Sequence, residues 1–375
     1  MTVPKVPSIS KLPIPVRYEP SMETIDEHEV KTIQGLIDTT ERIQAIVAAD
    51  VGRAKRGVHA KAHGLLVGEL EILPNLPPLL AQGLFGSPQT YPTVLRLSTI
   101  PGDLLNDAVS VPRAASLKIV GVGGSRVQGS ERDVTQDFLF LNGKAFGAAT
   151  PDAFLRTLKV LAATTDKAPG LKKVLANVVG ELEKVVEGVG RQSPTLLTFG
   201  GYPKVHILGD EFYTQGPILY GDYIAKLALK PFSDNLRALT QQPLDLYGHP
   251  DGIREAVVEF FRTNSAVWDI QVQLCTNLET MPVEDASVIW PETESPFLSV
   301  ARLRMPAQNA WCADKIELLD ERMSFSPWHA LAAHRPLGGI MRVRQAVYAA
   351  AARFRMDYNH QALVEPRSVA DLPEL

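Results

Sequence analysis

The stretch HAKAHGLLVGELEIL, residues 59–73, decides the fold class of this chain. From residue 58 onward, the helical period of the preceding residues gives way to a short run rich in strand-forming residues. Two more such runs follow, YPTVLRLSTI at 91–100 and AASLKIVGVGG at 114–124, and Gly, Pro and Asp residues separate them. Short runs joined by turns of this kind predict an antiparallel sheet.

Further strand-like runs occur in the second half of the chain. They are LLTFGG at 196–201, PKVHILG at 203–209, EFYTQGPILYGDYIAKLAL at 211–229, AVWDIQVQLC at 266–275 and FLSVARLRM at 297–305. Together with the first three runs, they predict at least eight strands. Since closure removes the unpaired edges of a sheet, this number favours an α+β fold built on an antiparallel eight-stranded β-barrel, with inserted and flanking helices.

Helical patterns lie before, within and after the strand runs. Residues 24–49 carry apolar side chains at helical spacing, with Thr24 and Glu27 as a capping box, and Gly52 is expected to end this helix. Residues 337–356 are alanine-rich and open at a Gly pair, which predicts a long last helix.

The domain organisation follows from these patterns. We expect an extended arm and a helix at 1–50, the barrel at 51–310 with a helical insertion at about 151–190, and a connecting segment, the last helix and a short tail at 311–375. Five prolines within the first 22 residues block a regular helix there. The arm is therefore expected to lie on another surface, such as that of a second copy in a homodimer.

Composition restricts the class of function. Charged residues make up 21% of the chain and nearly balance, with a formal net charge of -4, so no basic field would attract nucleic acid. The two cysteines, Cys275 and Cys312, are not spaced to bind zinc or to exchange disulfides. The amino terminus has no signal-peptide core and no apolar stretch would span a bilayer, so we expect a cytoplasmic protein without membrane insertion.

The last predicted helix carries the first candidate for chemistry. Arg344, Tyr348 and Arg355 project from one helical face, because Tyr348 stands four residues after the first arginine and seven before the second. A cation beside a phenol favours the phenolate, a hard anionic ligand suited to ferric iron. Taken alone, the same pattern also fits an amphipathic helix with a solvated basic stripe, and this alternative stays open.

The segment RGVHAKAHG at 56–64 carries the second candidate. His59 and His63 would form a metal-binding pair on a helix, or would share one face of a strand. The Glu of an H-E-x-x-H zinc motif does not stand between them, so zinc is not expected. A structural histidine on a strand is the alternative for either residue.

Taken together, the two segments resemble the haem site of the catalase family. The family's distal stretch, Arg-Val-Val-His-Ala-Lys-Gly, resembles residues 56–62, and its proximal Arg-x-x-x-Tyr followed by a later Arg resembles Arg344, Tyr348 and Arg355. Between them, family arginine, serine and lysine positions fall on Arg96, Ser98, Arg113 and Lys118. The similarity covers about 52–357 and implies a small catalase-related haem peroxidase, with a haem pocket beside a catalase-like barrel.

The resemblance implies a role for each site residue. Tyr348 would bind the iron of haem b beside Arg344, and His59, oriented by Ser98, would act on the peroxide first as general base and then as general acid. The other cofactor-binding residues that the family alignment implies are Arg56, Val58, Arg96, Phe146, Phe154 and Arg355. The three arginines of that set would pair with the two haem propionates.

Two departures from the family pattern bear on the activity. The family's peroxide-binding Asn aligns with Leu141, and we expect Asn142 to reach the pocket instead through a strand bulge. Because the chain ends at Leu375, shortly after Tyr348, we expect neither the family's C-terminal helical domain nor bound NADPH. A less covered pocket favours larger hydroperoxides, so the resemblance implies a peroxidase with modest catalase activity and an organic reductant.

Two other functions stay open at this point. An allene oxide synthase-like enzyme shares the fold and the tyrosine ligand but isomerises a fatty-acid hydroperoxide. In that branch Thr typically precedes the distal histidine, whereas this chain has Val58, as in catalases. A non-enzymatic barrel that binds haem or a lipid is the second alternative, and it would have no use for His59.

Overall fold

The computed structural model describes residues 14–165 and 202–374. The strands within these ranges are β1 (Lys61–Ile72), β2 (Thr90–Thr99), β3 (Arg113–Val120), β4 (Thr135–Leu141), β5 (Phe212–Thr214), β6 (Ile218–Tyr220), β7 (Tyr223–Pro231), β8 (Ala266–Leu274) and β9 (Leu298–Met305). They form one sheet in the order β5-β4-β3-β2-β1-β9-β8-β7-β6, and the pairs are antiparallel.

An additional antiparallel pairing between β5 and β7 closes the sheet. Eight strands thereby form a barrel, and β6 is a further strand that pairs with β7. Closure leaves the barrel strands without unpaired edges, which suits strands this short. The predicted α+β fold with an antiparallel eight-stranded barrel is confirmed.

The two faces of each barrel strand have different surroundings. Along β2, Leu95 and Leu97 belong to the large buried cluster that fills the barrel interior. Successive side chains of a strand alternate between its faces, so Arg96 and Ser98 lie on the outer face. Both residues are nevertheless buried, which shows that other elements cover the outside of the barrel at this place.

Helices supply this cover. They are α1 (Glu29–Val51), α2 (Pro151–Thr165), α3 (Asp234–Arg237), α4 (Gly252–Phe261), α5 (Ala313–Lys315) and α6 (Gly339–Asn359), and a π-helical segment (Ile316–Arg322) follows α5. The helices α1, α2 and α6 share a second apolar cluster that includes Leu36, Leu155 and Val343. The π-helical segment packs Leu319 against the outer face of the barrel. Within the described ranges, no helix is long and apolar enough to cross a membrane.

Some local predictions were wrong, and the causes are tertiary contacts. The first helix begins at Glu29 and not at Thr24, because the Thr24 N–H and carbonyl bond instead to Glu284 and Arg342. Its predicted end at Gly52 is confirmed by a left-handed φ of 73° there.

Two predicted strand runs have other outcomes. Within 203–209 the backbone forms a short 3₁₀ turn over Ile207–Gly209, in which the Leu208 amide donates to the His206 Nδ1 atom at 3.2 Å. The run at 196–201 lies outside the described residues, as does most of the predicted helical insertion beyond Thr165. The helix α4 has no counterpart in the sequence predictions, although Ile253 and Val257 stand at helical spacing.

Candidate active site

The candidate site lies on the outer face of β1 to β4. Cross-strand pairing places Ala62, Ser98, Ala114 and Leu141 in one row across these strands. Paired residues of a sheet share a face, so the whole row continues the outer face that Ser98 occupies. Ser98 is fully buried, and its hydroxyl has no hydrogen-bond partner among the described residues.

His59 lies just before β1 in a left-handed backbone conformation with a φ of 54°. This conformation is uncommon outside glycine and persists when surrounding contacts enforce it. One such contact comes from Arg96, whose Nη2 donates to the His59 carbonyl oxygen at 3.0 Å. The Nδ1 atom of the His59 ring is buried and has no partner in the described part of the chain. Arg96 therefore holds the His59 backbone, and one ring nitrogen is available for a bound molecule.

The environment of His59 keeps its imidazole neutral. Burial lowers the pKa of His59 to about 3, and the positive charges of Arg96, Arg344 and Arg56 contribute to this shift. A neutral imidazole can accept a proton at any pH near 7. The end of α6 lies beside the segment that leads into β1, because the Asn359 side chain accepts from the Ala54 amide at 2.9 Å and donates to the Ala54 carbonyl oxygen at 3.0 Å.

Tyr348 and Arg344 form a pair on α6. The Nη2 atom of Arg344 donates to the Tyr348 hydroxyl oxygen at 2.5 Å, and the guanidinium lies 4.9 Å from the centre of the phenol ring. The four-residue spacing brings the two side chains onto one helical face. A guanidinium in this position can offset negative charge on the phenol oxygen, as an anionic metal ligand requires.

Contacts from distant residues fix the start of α6. Gly338 has a φ of 81°, and the amides of Gly338 and Gly339 donate to the carboxylates of Glu23 and Glu284 at 2.9 and 2.8 Å. Arg342 in the first turn bonds to both carboxylates. Carboxylates at a helix N-terminus satisfy amides that lack partners within the helix. The position of Tyr348 therefore depends on a segment near residue 23 as well as on its own helix.

The three arginines predicted to bind haem propionates lie together beside the π-helical segment. The Oδ1 atom of Asp320 accepts from Arg56 Nη1 at 2.8 Å and from Arg96 Nε at 2.9 Å. The carbonyl oxygen of Met323 accepts from Arg56 Nη2 at 2.9 Å and from Arg355 Nη2 at 3.0 Å. We call Arg56, Arg96 and Arg355 the inner arginines.

The inner arginines carry more positive charge than their surroundings neutralise. Burial and the neighbouring guanidiniums lower the pKa of Arg56, and burial lowers the pKa of Arg355 to about 10. Although burial opposes it, attraction to Arg96 and Arg56 holds the pKa of Asp320 at about 2, so its carboxylate is ionised. The Nε atom of Arg355 is buried without a partner among the described residues. A buried donor in this state calls for a further acceptor, such as an anionic oxygen.

Asn142 does not lie in the row with Ser98. The pairing of β3 with β4 runs without a bulge, so Leu141 occupies the outer-face position. The Asn142 side chain accepts from the Arg113 amide at 2.9 Å and donates to the Asp210 carboxylate at 3.3 Å. These contacts give the amide structural partners, and its catalytic role stays a prediction that this geometry does not favour.

The remaining predicted cofactor residues lie around α6 and His59. Phe146 and Phe154 contact each other in a T-shaped arrangement, with ring centres 5.0 Å apart. Phe154 packs on the apolar cluster that includes Val343 of α6, as does Val347, the residue before the predicted ligand. Val58 is half-buried directly before His59.

His63 is separate from His59. A register irregularity in β1 leaves His63 out of the pairing with β2, and its Nε2 lies 2.9 Å from the Thr99 hydroxyl oxygen. Its Nδ1 lies 3.6 Å from the carboxylate of Asp107. The two histidines therefore share neither a helix nor a strand face, and they form no metal-binding pair.

One polar cluster that sequence reasoning missed has the spacing of a metal site. Ligand atoms of Asp137, His329 and Glu365 lie within 4.8 Å of one another. The Nζ atom of Lys118 lies 2.8, 3.1 and 2.5 Å from these three side chains. An ammonium group thus occupies the place a cation would take, and the cluster is an ion-pair network. Asp320 was also missed, since a single acidic residue in a mixed stretch carries no pattern.

The residues of the candidate site fit haem b. The group would take a side-chain ligand to its iron and cations for its two propionates, and peroxide chemistry would also require a proton acceptor nearby. Tyr348 with Arg344, the inner arginines and the neutral His59 offer these features. The Ser98 hydroxyl, His59 Nδ1 and Arg355 Nε are buried without partners among residues 14–165 and 202–374, and a bound molecule could satisfy polar atoms of this kind.

Comparison with known proteins agrees with this fold. The structure is similar to a fungal catalase with a TM-score of 0.59 and 16% identity, covering 84% of this chain and 64% of that one. It is similar to catalase A from Saccharomyces cerevisiae with a TM-score of 0.58 and 16% identity, covering 83% of this chain and 63% of that one. It is also similar to a bacterial catalase with a TM-score of 0.57 and 15% identity, covering 95% of this chain and 65% of that one. The chain thus spans under two thirds of each of these proteins. No family model and no curated protein matches the sequence. The fold is that of the catalases, and identities this low show the fold alone.

Proposed function

We propose that this chain is a haem-dependent oxidoreductase that consumes peroxides, with organic hydroperoxides among its substrates. The observation that carries the proposal is the shared environment of His59 and the Arg344–Tyr348 pair. The Asn359 side chain of α6 bonds the Ala54 backbone, five residues before His59, and the charge of Arg344 contributes to the lowered pKa of His59. These contacts support one pocket for the neutral imidazole and for the phenol that Arg344 bonds.

Each residue has a defined task in this proposal. When bound, haem b supplies an iron centre that takes oxidising equivalents from a peroxide. Tyr348 holds the iron while Arg344 offsets the charge of the phenol oxygen, and the inner arginines hold the propionates. The His59 imidazole takes a proton from one peroxide oxygen and delivers it to the other, which becomes the leaving group. Burial of His59 keeps it neutral and ready for the first of these transfers.

The row across the outer face favours hydroperoxides that carry an alkyl group. In the row Ala62, Ser98, Ala114 and Leu141, only Ser98 bears a polar side chain. Apolar contact favours an alkyl group by about 25 cal/mol for each Å² removed from water. A second peroxide hydroxyl without a partner would instead cost about 1–3 kcal/mol.

Purified protein reconstituted with haemin tests the proposal. We expect a Soret band with high-spin ferric features, lost or altered in Tyr348→Phe, and reductant oxidation driven by cumene hydroperoxide and, with lower kcat/KM, by hydrogen peroxide. His59→Ala should retain haem and lower kcat at least 100-fold, in line with the usual size of general acid–base effects. The matched control is His249→Ala, since His249 lies in an exposed pair with Glu255.

Each of the other possible outcomes would support a different function or refute the proposal. If His59→Ala retains haem and turns over as fast as the parent, the chain is a haem-binding barrel and not a peroxidase. If a polyunsaturated fatty-acid hydroperoxide is isomerised without consumption of reductant, the allene oxide synthase-like alternative holds. If the parent protein binds no haem, the proposal is wrong.

A further inference from the structure

Asp320 has contacts that the resemblance to catalases does not assign. Its Oδ1 atom bonds to Arg56 at 2.8 Å and to Arg96 at 2.9 Å, and its side chain is 9% exposed. It belongs to the π-helical segment, a form of helix that often marks functional sites. Asp320 therefore shares two of the three groups expected to receive the propionates.

The charges around Asp320 divide into an inner and an outer group. The inner arginines and Asp320 together carry a net charge of +2, from three cations and one anion. In the outer group, Glu321 pairs with Arg53 and Lys55, both at 2.6 Å. The side chains of Arg53 and Lys55 are 42% and 23% exposed, whereas the side chain of Arg96 is 1% exposed. Two porphyrin carboxylates would bring the inner group to neutrality.

The bonds of Arg56 create a conflict with a bound carboxylate. Both terminal nitrogens of Arg56 are in use, Nη1 on Asp320 and Nη2 on the Met323 carbonyl at 2.9 Å. Arg355, by contrast, has a buried Nε without a described partner. A porphyrin carboxylate therefore finds a ready donor on Arg355 but must share Arg56 and Arg96 with Asp320.

We propose that Asp320 is an internal counter-anion that competes with the porphyrin carboxylates for Arg56 and Arg96, and so limits how tightly the protein holds haem. The inference rests on the proposed function, because it concerns the same haem site. Without a porphyrin, Asp320 stabilises three guanidiniums that would otherwise repel one another. With a porphyrin bound, three carboxylates share these cations, and Asp320 weakens the binding of the other two.

The substitution Asp320→Asn separates charge from geometry. Asparagine keeps an acceptor oxygen at the same place, so Arg56 and Arg96 can keep their bonds while the negative charge is lost. If Asp320 only positioned the arginines, its loss would weaken haem binding. If it competes, its loss strengthens haem binding and destabilises the porphyrin-free protein.

Haem release from the full-length protein to a globin acceptor measures the difference. We expect Asp320→Asn to release haemin at least tenfold more slowly than the parent and to lower the Tm of the haem-free protein. The matched control is Glu321→Gln, which removes the same charge from the next residue but from the outer group, and its release rate should stay within twofold of the parent. Haemin dimethyl ester, which lacks the carboxylates, should leave Asp320→Asn and the parent at equal rates.

The outcomes distinguish this inference from the proposed function. A parent that binds haemin, with Asp320→Asn releasing it as fast or faster, overturns the inference and leaves the proposed function standing. A parent that binds no haemin overturns both. If Asp320→Asn does not fold, the double variant Asp320→Asn/Arg56→Gln restores a net charge of +2. This double variant should then fold and release haemin within threefold of the parental rate, and a larger difference refutes the competition.

Discussion

Replacing Lys118 by methionine tests the ion-pair network that joins the barrel to the C-terminal tail. Lys118 and Asp137 have no exposed side-chain surface, and the Nζ atom bonds both Asp137 oxygens, at 2.8 and 2.9 Å. Lys118 also bonds Glu365 at 2.5 Å. Although burial opposes it, Asp137 and Glu365 raise the pKa of Lys118, so the ammonium is charged in the folded protein.

The magnitude follows from what the substitution leaves behind. Methionine has a similar length but no charge, so the Asp137 carboxylate stays buried without its ammonium partner. Removal of one member of a buried ion pair costs about 3–5 kcal/mol. Asp137 keeps a bond from the Ser326 amide at 2.9 Å and lies 3.0 Å from His329 Nδ1, so we expect the lower end, about 3 kcal/mol of unfolding free energy.

Urea unfolding followed by circular dichroism measures this loss. The matched control is Lys144→Met, since Lys144 forms an exposed pair with Glu292 at 2.7 Å and should cost less than about 1 kcal/mol. The double variant Lys118→Met/Asp137→Leu should recover part of the loss, because the fully buried carboxylate is then absent and the remaining one, Glu365, is 25% exposed. A loss in Lys118→Met no greater than that in Lys144→Met would refute the reasoning.

Three further predictions concern acid stability, the segment before His59 and substrate choice. Burial lowers the pKa of His334 to about 4, so between pH 6.5 and pH 4 the unfolded chain binds a proton there that the folded chain does not. Urea titrations should show that, between pH 7 and pH 4, the unfolding free energy of the parent falls by about 3 kcal/mol more than that of His334→Gln. Gly57→Ala would place a Cβ 2.3 Å from Thr40 Cγ2, and we expect it to lower the unfolding free energy by about 1–3 kcal/mol in the same assay. An unchanged unfolding free energy would contradict the close packing of Gly57 against Thr40. Leu141→Asn adds a donor in the row with Ser98, on the far side of Ala114, and should shift the ratio of kcat/KM values about tenfold toward hydrogen peroxide and away from cumene hydroperoxide. An unchanged ratio would show that Leu141 does not contact the substrate.

The strands of the barrel were predictable because the signal for a strand is local. Alternation of side chains and the turn residues between runs identified β1, β2, β3, β8 and β9 within a few residues, whereas the single run at 211–229 covers β5, β6 and most of β7. Boundaries were less predictable where a distant residue decides them. Thr24 and Glu27 have the pattern of a helix start, but Glu284 and Arg342 bond the backbone at Thr24 and move the start of α1 to Glu29.

The sequence by itself determined which residue types stand at fixed short separations. The pairing of Arg344 with Tyr348 follows from one turn of helix, and the alternation along β2 puts Arg96 and Ser98 on one face. Only the tertiary structure decided what these residues meet. It placed Leu141 rather than Asn142 in the row with Ser98, because strand register is fixed by closure of the whole barrel. It also brought Asp320 onto the inner arginines, because attraction between charges depends on distance in space and leaves no periodic trace in a sequence.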